Sequence, residues 1–172
     1  MDSRSQVGAD GVTAPLAGVG SYAGGSVRPN DGDGAPQDSQ KTRVGALIGV
    51  TVLLVEDDPL TREALELILA HYGARVLCAA TATQALDVYE GGGLSILISD
   101  IGLPDFDGCA LLRTIRRREA GGWHLPAIAV SGYPSRETGG RARSAGFDAF
   151  LTKPVPLPVL LQTIDELAPQ RA

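Results

Sequence analysis

Five polar side chains in the 172-residue sequence sit directly behind apolar runs, where a sheet interior has no use for them. Glu56 and Asp57 follow VTVLLV, Asp100 follows LSILIS, Ser131 follows PAIAV, and Lys153 follows FDAFLT. If those runs are neighbouring parallel strands, all five groups end at one rim, where open α/β sheets bind ligands. Three carboxylates brought within a few ångströms repel one another and call for a cation. A hard-oxygen set without His or Cys suits Mg²⁺, which keeps several waters and takes only one or two protein carboxylates directly. A metal there would screen Asp100 enough for an anionic phosphoryl group to approach. A carboxylate that accepts phosphoryl becomes an acyl phosphate.

Lys153 fits this chemistry. It is the only lysine after Lys41 in a region that otherwise carries its positive charge on arginine. Its ammonium is a compact point charge able to meet a phosphoryl oxygen, and the Ser131 hydroxyl can donate to another. Taken singly, each residue has a plainer explanation: Glu56 and Asp57 as a polar strand end, Lys153 as a surface charge, Ser131 as a turn residue before Gly132. Four separate strand ends agreeing on one chemistry is what favours a site.

The elements that must position these groups follow from periodicity. Val50 to Val55 is a buried strand by its length and β-branched content. Asp58 caps a helix with Pro59 in its first position, running to about His71 and stopped by Gly73. Arg75 to Ala79 is a second strand, and Thr81 with Gln84 forms a capping box for a helix ending at Glu90. Leu94 to Ser99 is the central strand, and Asp107 caps a third helix that ends before Gly121. Pro126 to Val130 is a fourth strand, Ser135 opens a helix to Ala145 weakened by Gly139 and Gly140, and Phe147 to Thr152 is a fifth strand. A last helix led by Pro158 runs through Leu167. Alternating strands and helices imply right-handed βαβ crossovers and a doubly wound parallel sheet covered on both faces. The expected fold is flavodoxin-like, (βα)5, with strand order 2-1-3-4-5.

Composition narrows the function classes. The chain is 44% hydrophobic and 20% charged, which suits one globular domain and an appendage. Met1 to about Arg43 is rich in Gly, Ser and Pro, with Tyr22 as its one aromatic residue, and reads as disordered. The domain edge is expected between residues 48 and 49, with the domain running to 170. A net charge of −5 points away from nucleic acid and anionic membranes as partners. The apolar run Val44 to Val55 is too short for a membrane span and ends on Glu56, Asp57 and Asp58, so a cytoplasmic protein is expected. Cys78 and Cys109 have no ligand-spaced partners and read as reduced thiols packed as small hydrophobes. The arginines at 113, 116, 117 and 118 read as the solvated face of an amphipathic helix.

The segments VLLVEDDP, SDIGLPDFDG, AVSGYP and AGFDAFLTKPV, in this order over Thr51 to Leu167, resemble the response-regulator receiver domain of two-component signalling. The resemblance implies that Asp100 is the phosphoacceptor and that Asp57 and Asp100 ligate Mg²⁺ directly. It implies that the Gly102 carbonyl completes the protein ligands and that Glu56 acts through water. Ser131 matches the hydroxyl residue that turns toward the phosphoryl group, Lys153 the family's lysine, and Phe150 the switch aromatic. Three positions depart from the commoner pattern: Ser131 stands for Thr, Phe150 for Tyr, and Glu56 for Asp. The phosphodonor implied is a histidine kinase or a histidine phosphotransfer protein, and the output is an unidentified protein target reached through the fourth helix, fifth strand and fifth helix. The chain is then not a turnover enzyme. The wording of SGYP and AGFDAFLTKPV is similar to receivers of hybrid kinases, which favours a phosphorelay role.

Two other readings compete. Asp105 to Gly108 spells the DxDG of haloacid-dehalogenase-type phosphohydrolases, but there the first Asp ends a strand directly, a place Asp100 occupies here. A pseudo-receiver that binds partners without phosphorylation is the other, and the complete set of acidic residues with Ser131 and Lys153 argues against it.

Overall fold

The computed structural model describes residues 45–168 apart from Ala120 and Pro134, so the expected disordered stretch up to Arg43 lies outside the described residues. Five strands alternate with five helices: β1 Thr51–Val55, α1 Pro59–His71, β2 Arg75–Ala79, α2 Ala82–Glu90, β3 Ile96–Asp100, α3 Gly108–Arg118, β4 Ala127–Ser131, α4 Arg136–Ala145, β5 Ala149–Thr152 and α5 Leu157–Leu167. All four strand pairs are parallel, and the sheet order is β2-β1-β3-β4-β5. This is the flavodoxin-like arrangement that alternating periodicity leads one to expect.

Side chains leave each strand on alternate faces, which makes two cores from one sheet. Leu53 and Val55 of β1, Leu97 of β3 and Ala129 of β4 pack with Ala82, Ala85, Leu111, Leu112 and Ile115 from α2 and α3. Val52, Leu54, Ile98 and Ile128 face the other way, against Leu69 of α1 and Leu160 and Ile164 of α5.

Helix starts follow local chemistry. The Asp58 carboxylate accepts from the Thr61 amide at 2.7 Å, Asp107 from Ala110 at 2.8 Å, and Ser135 from Thr138 at 2.9 Å, each satisfying an orphan donor of a first turn. The Thr81 hydroxyl takes the Gln84 amide at 3.2 Å. The return arm of that capping box lands one residue upstream, with the Gln84 side-chain oxygen accepting from the Ala80 amide at 2.9 Å.

Packing begins before β1. Leu47 is fully buried and its amide donates to the Tyr72 carbonyl at 2.9 Å, so the packed chain already includes the turn from Gly45 to Gly49. The apolar run that begins at Val44 is interrupted by Gly45 and Gly49 and shows no period before β1, so the sequence does not mark Leu47 as a core residue, and an edge between 48 and 49 cuts through this turn. Asp100 and Ser131 are the last residues of β3 and β4. Ladder hydrogen bonds continue past the apolar runs and take these polar residues with them.

Candidate functional site

Register alone brings the chemistry together. The Glu56 amide donates to the Ala79 carbonyl at 3.1 Å, so strand geometry extends past β1. Asp100 lies opposite Val130, Ser131 lies opposite Thr152, and the Lys153 amide donates to the Ser131 carbonyl at 2.9 Å. Every polar residue that follows an apolar run therefore reaches the same carboxyl-end rim.

Glu56, Asp57 and Asp100 each offer a carboxylate oxygen, and these oxygens lie within 4.8 Å of one another. The Lys153 ammonium bridges two of the three, donating to Glu56 Oε2 at 2.7 Å and to Asp100 Oδ2 at 2.5 Å. The Glu56 side chain is only 4% exposed and that of Asp100 13%, so this contact operates largely out of solvent. Burial lowers the tendency of Lys153 to hold its proton, but hydrogen bonds to Asp100 and Glu56 outweigh it and raise the group above its ordinary value. One ammonium cannot neutralise three carboxylates, and the donors are hard oxygens without His or Cys. That donor set fits Mg²⁺.

The other expected residues are Gly102 in the loop after β3, Ser131 at the end of β4 and Phe150 within β5. The Gly102 amide donates to Asp100 Oδ1 at 2.8 Å. Ser131 is buried, and its hydroxyl oxygen accepts the Tyr133 amide at 3.2 Å, leaving its O–H free to donate elsewhere. Phe150 is half-buried against the core cluster that includes Ala129, Ala142 and Phe147.

Several supports escape a reading of the sequence. The Arg62 guanidinium, one turn into α1, donates to the Glu56 carbonyl at 2.6 Å and the Asp57 carbonyl at 3.2 Å, fixing the acidic loop from behind. An arginine four residues beyond a helix cap is the only signal, and it looks like any surface charge. Asp105 is not part of a catalytic DxDG. Its carboxylate takes the Ala82 amide at 3.0 Å, the Thr83 amide at 2.8 Å and the Thr83 hydroxyl at 2.9 Å, capping α2 from across the domain. Burial raises Asp105, yet backbone hydrogen bonds from Ala82, Thr83 and Phe106 and the Thr83 hydroxyl overcome it and hold the carboxyl well below its ordinary range. Gly108 touches the Asp100 backbone so closely that a Cβ would lie 2.3 Å from its carbonyl oxygen. That carbonyl also accepts from the Ser99 hydroxyl at 2.8 Å.

The arginine cluster is not one solvated face. Arg116 is largely buried and donates to the Gly146 carbonyl at 2.8 Å and the Leu125 carbonyl at 2.9 Å, while Arg118 pairs with Glu90 at 2.6 Å. Helical spacing cannot distinguish an arginine that snorkels to solvent from one that turns inward to carbonyls. Both cysteines are free thiols, and burial, with Glu66 beside it, pushes Cys78 up to about 11.

Residues 52–165 match the family described as the response regulator receiver domain. The chain belongs to that family. The receiver domain is 38% identical over 109 residues to an uncharacterized 14.6 kDa protein of Leptolyngbya boryana, a match covering 63% of this chain and 82% of that one. It is 34% identical over 113 residues to the sensor histidine kinase RcsC of Escherichia coli, covering 66% of this chain and 12% of the kinase. The chain thus spans most of the first relative and about an eighth of the second. Among solved structures, a CheY-like receiver domain protein from Methanospirillum hungatei is 34% identical with a TM-score of 0.63, covering 68% of this chain and 91% of that chain. Receiver domains are signalling modules of two-component systems, not turnover enzymes, and among the described residues no helix is long and apolar enough to cross a membrane.

Proposed function

We propose that Asp100 accepts a phosphoryl group from a phosphohistidine on a histidine kinase or phosphotransfer protein in the cytoplasm. The observation that carries this reading is the convergence of the Glu56, Asp57 and Asp100 oxygens within 4.8 Å, with Lys153 bonded to Asp100 and Glu56. A carboxylate oxygen of Asp100 attacks phosphorus, a P–O bond forms, the P–N bond to the donor imidazole breaks, and the imidazole leaves with the electron pair. Asp57 and Asp100 would hold Mg²⁺ directly, with the Gly102 carbonyl as a further ligand and Glu56 acting through water. When bound, the ion offsets negative charge on the transferring phosphoryl oxygens. Lys153 holds Asp100 in place before transfer and offers its ammonium to a phosphoryl oxygen afterwards. Ser131 supplies a hydroxyl donor to another, and its movement leaves room for Phe150 to turn inward. The surface of α4, β5 and α5 then changes its affinity for a protein target, a population shift of a few kcal/mol at most.

The kinase relative supports a histidine-kinase donor, because a receiver segment of this kind is part of a protein named as a sensor histidine kinase. The test is incubation with acetyl phosphate and Mg²⁺ followed by intact mass measurement. A gain of one phosphoryl group that is lost in Asp100→Ala is expected. Labelling that persists in Asp100→Ala, or a wild-type protein that never labels while partner binding persists, overturns the reading.

A further inference from the structure

Among the described residues, two side-chain ties reach α4 from elsewhere in the fold, and both run to α3. At the end of α4, the Arg116 guanidinium of α3 donates to the carbonyl of its C-cap residue Gly146 at 2.8 Å. In the middle of α4, Arg141 pairs with Asp107, the N-cap of α3. Asp107 serves two partners at once. Its Oδ1 caps the Ala110 amide at 2.8 Å and its Oδ2 takes the Arg141 guanidinium.

Apolar anchoring of α4 is slight. Its buried side chains are Ala142 and Ala145, and Gly139 and Gly140 lie in its interior, where an added Cβ would meet nothing within 4 Å. Two alanines bury little area, and paired glycines loosen the backbone. The position of α4 therefore depends largely on its ties to α3.

The first turn of α3 has no slack against the phosphoacceptor. The Gly108 amide donates to the Ile101 carbonyl at 2.9 Å, and a Cβ on Gly108 would sit 2.3 Å from the Asp100 carbonyl oxygen. A shift in the Asp100 backbone must move the start of α3, and Asp107 is the residue before that contact.

We propose that Asp107 and Arg141 are positioning residues that tie α4 to the phosphoacceptor loop, a second link beside Ser131 and Phe150. The proposal rests on Asp100 being the phosphoacceptor, but the tie is measurable without a phosphodonor. Asp107→Asn keeps a good N-cap while removing the charge, and Arg141→Gln removes the guanidinium. Hydrogen exchange across Thr138 to Ala145 is followed in the wild type, each single variant and the double variant. Without donor, each single variant is expected to exchange about two- to five-fold faster in this segment, as suits one partly exposed ion pair. The double variant is expected to be no faster than either single. With acetyl phosphate and Mg²⁺, the wild type is expected to approach the rates of the variants, which change little further. Single variants at wild-type rates, or a double variant whose acceleration is the product of the two, overturn the tie. Faster exchange in the variants with no donor effect in a wild type that labels overturns the link to phosphorylation. A wild type that fails to label sinks the phosphoacceptor reading instead, with the donor-free exchange still deciding the tie.

Discussion

Lys153 earns its place by holding two carboxylates that would otherwise face each other. Lys153→Ala leaves Glu56 and Asp100 without their shared cation in a site largely out of solvent. We expect a loss of about 1–3 kcal/mol in the absence of divalent ions, less than for a fully enclosed pair because the lysine is 29% exposed. Denaturant melts of the two proteins check this, and an unchanged midpoint contradicts it. Because the ammonium is held above its ordinary value near 10.5, its contribution is complete below that value and is lost as the pH rises through the higher folded value. Gly108 is under a different constraint, since the atom a Cβ would strike belongs to the backbone of Asp100 and cannot rotate away. Gly108→Ala is expected to destabilise by about 1–3 kcal/mol and to slow labelling of Asp100 by acetyl phosphate, whereas Gly140→Ala, in open space, should do neither. Of these residues, the acidic set, Ser131 and Lys153 are legible from their places behind apolar runs. Arg62, Asp105 and the close approach of Gly108 are not, because each acts on backbone atoms that are distant or not distinguished in the sequence.

The first four helices of this domain are capped at their starts by side chains, and two further fastenings of helix ends, by Asp105 and Arg116, are made across the chain. Asp105 caps α2 from the loop before α3, so Asp105→Ala should lower stability by about 0.5–1 kcal/mol at neutral pH, at the low end because the site is open to water. The carboxyl is held below its ordinary value near 3.8, so its contribution is present above that value and disappears as the pH falls further. Melts from pH 7 downward should show the gap between wild type and Asp105→Ala closing in that acid range. Arg116 joins the end of α3 to the turn after α4, donating to Gly146 and Leu125 carbonyls and pairing with Glu119. Gly146 is in the left-handed region at φ +98°, the conformation that ends a helix with glycine. Arg116→Ala strands two carbonyls and a carboxylate together, and a cost of about 2–3 kcal/mol is expected in chemical denaturation, against a few tenths for Arg113→Ala. Helix positions and caps follow from local residues, and periodicity places them well. Which loop residue caps which helix from a distance depends on how α2 and α3 pack.

Binding of a divalent ion at the rim links all the strands that carry it, so its effect should be felt by the whole folded unit. If Mg²⁺ binds only the folded protein, ten times its dissociation constant adds about 1.4 kcal/mol to stability. Thermal melts with and without Mg²⁺ should show that rise in the wild type and its loss in Asp57→Asn. A rise of equal size in Asp57→Asn would mean the ion binds elsewhere. The alternation of apolar runs with capped helices was enough to specify a doubly wound sheet and to set Glu56, Asp57, Asp100, Ser131 and Lys153 at strand ends along one rim, because strand burial and helix capping are local and periodic. Contacts between segments far apart in the chain settled the rest: that Lys153 bridges Glu56 and Asp100, that Leu47 belongs to the core, and that Arg116 with Gly146 and Asp107 with Arg141 join α3 to α4. Those depend on packing distances between elements, and packing distances exist only once the chain has closed on itself.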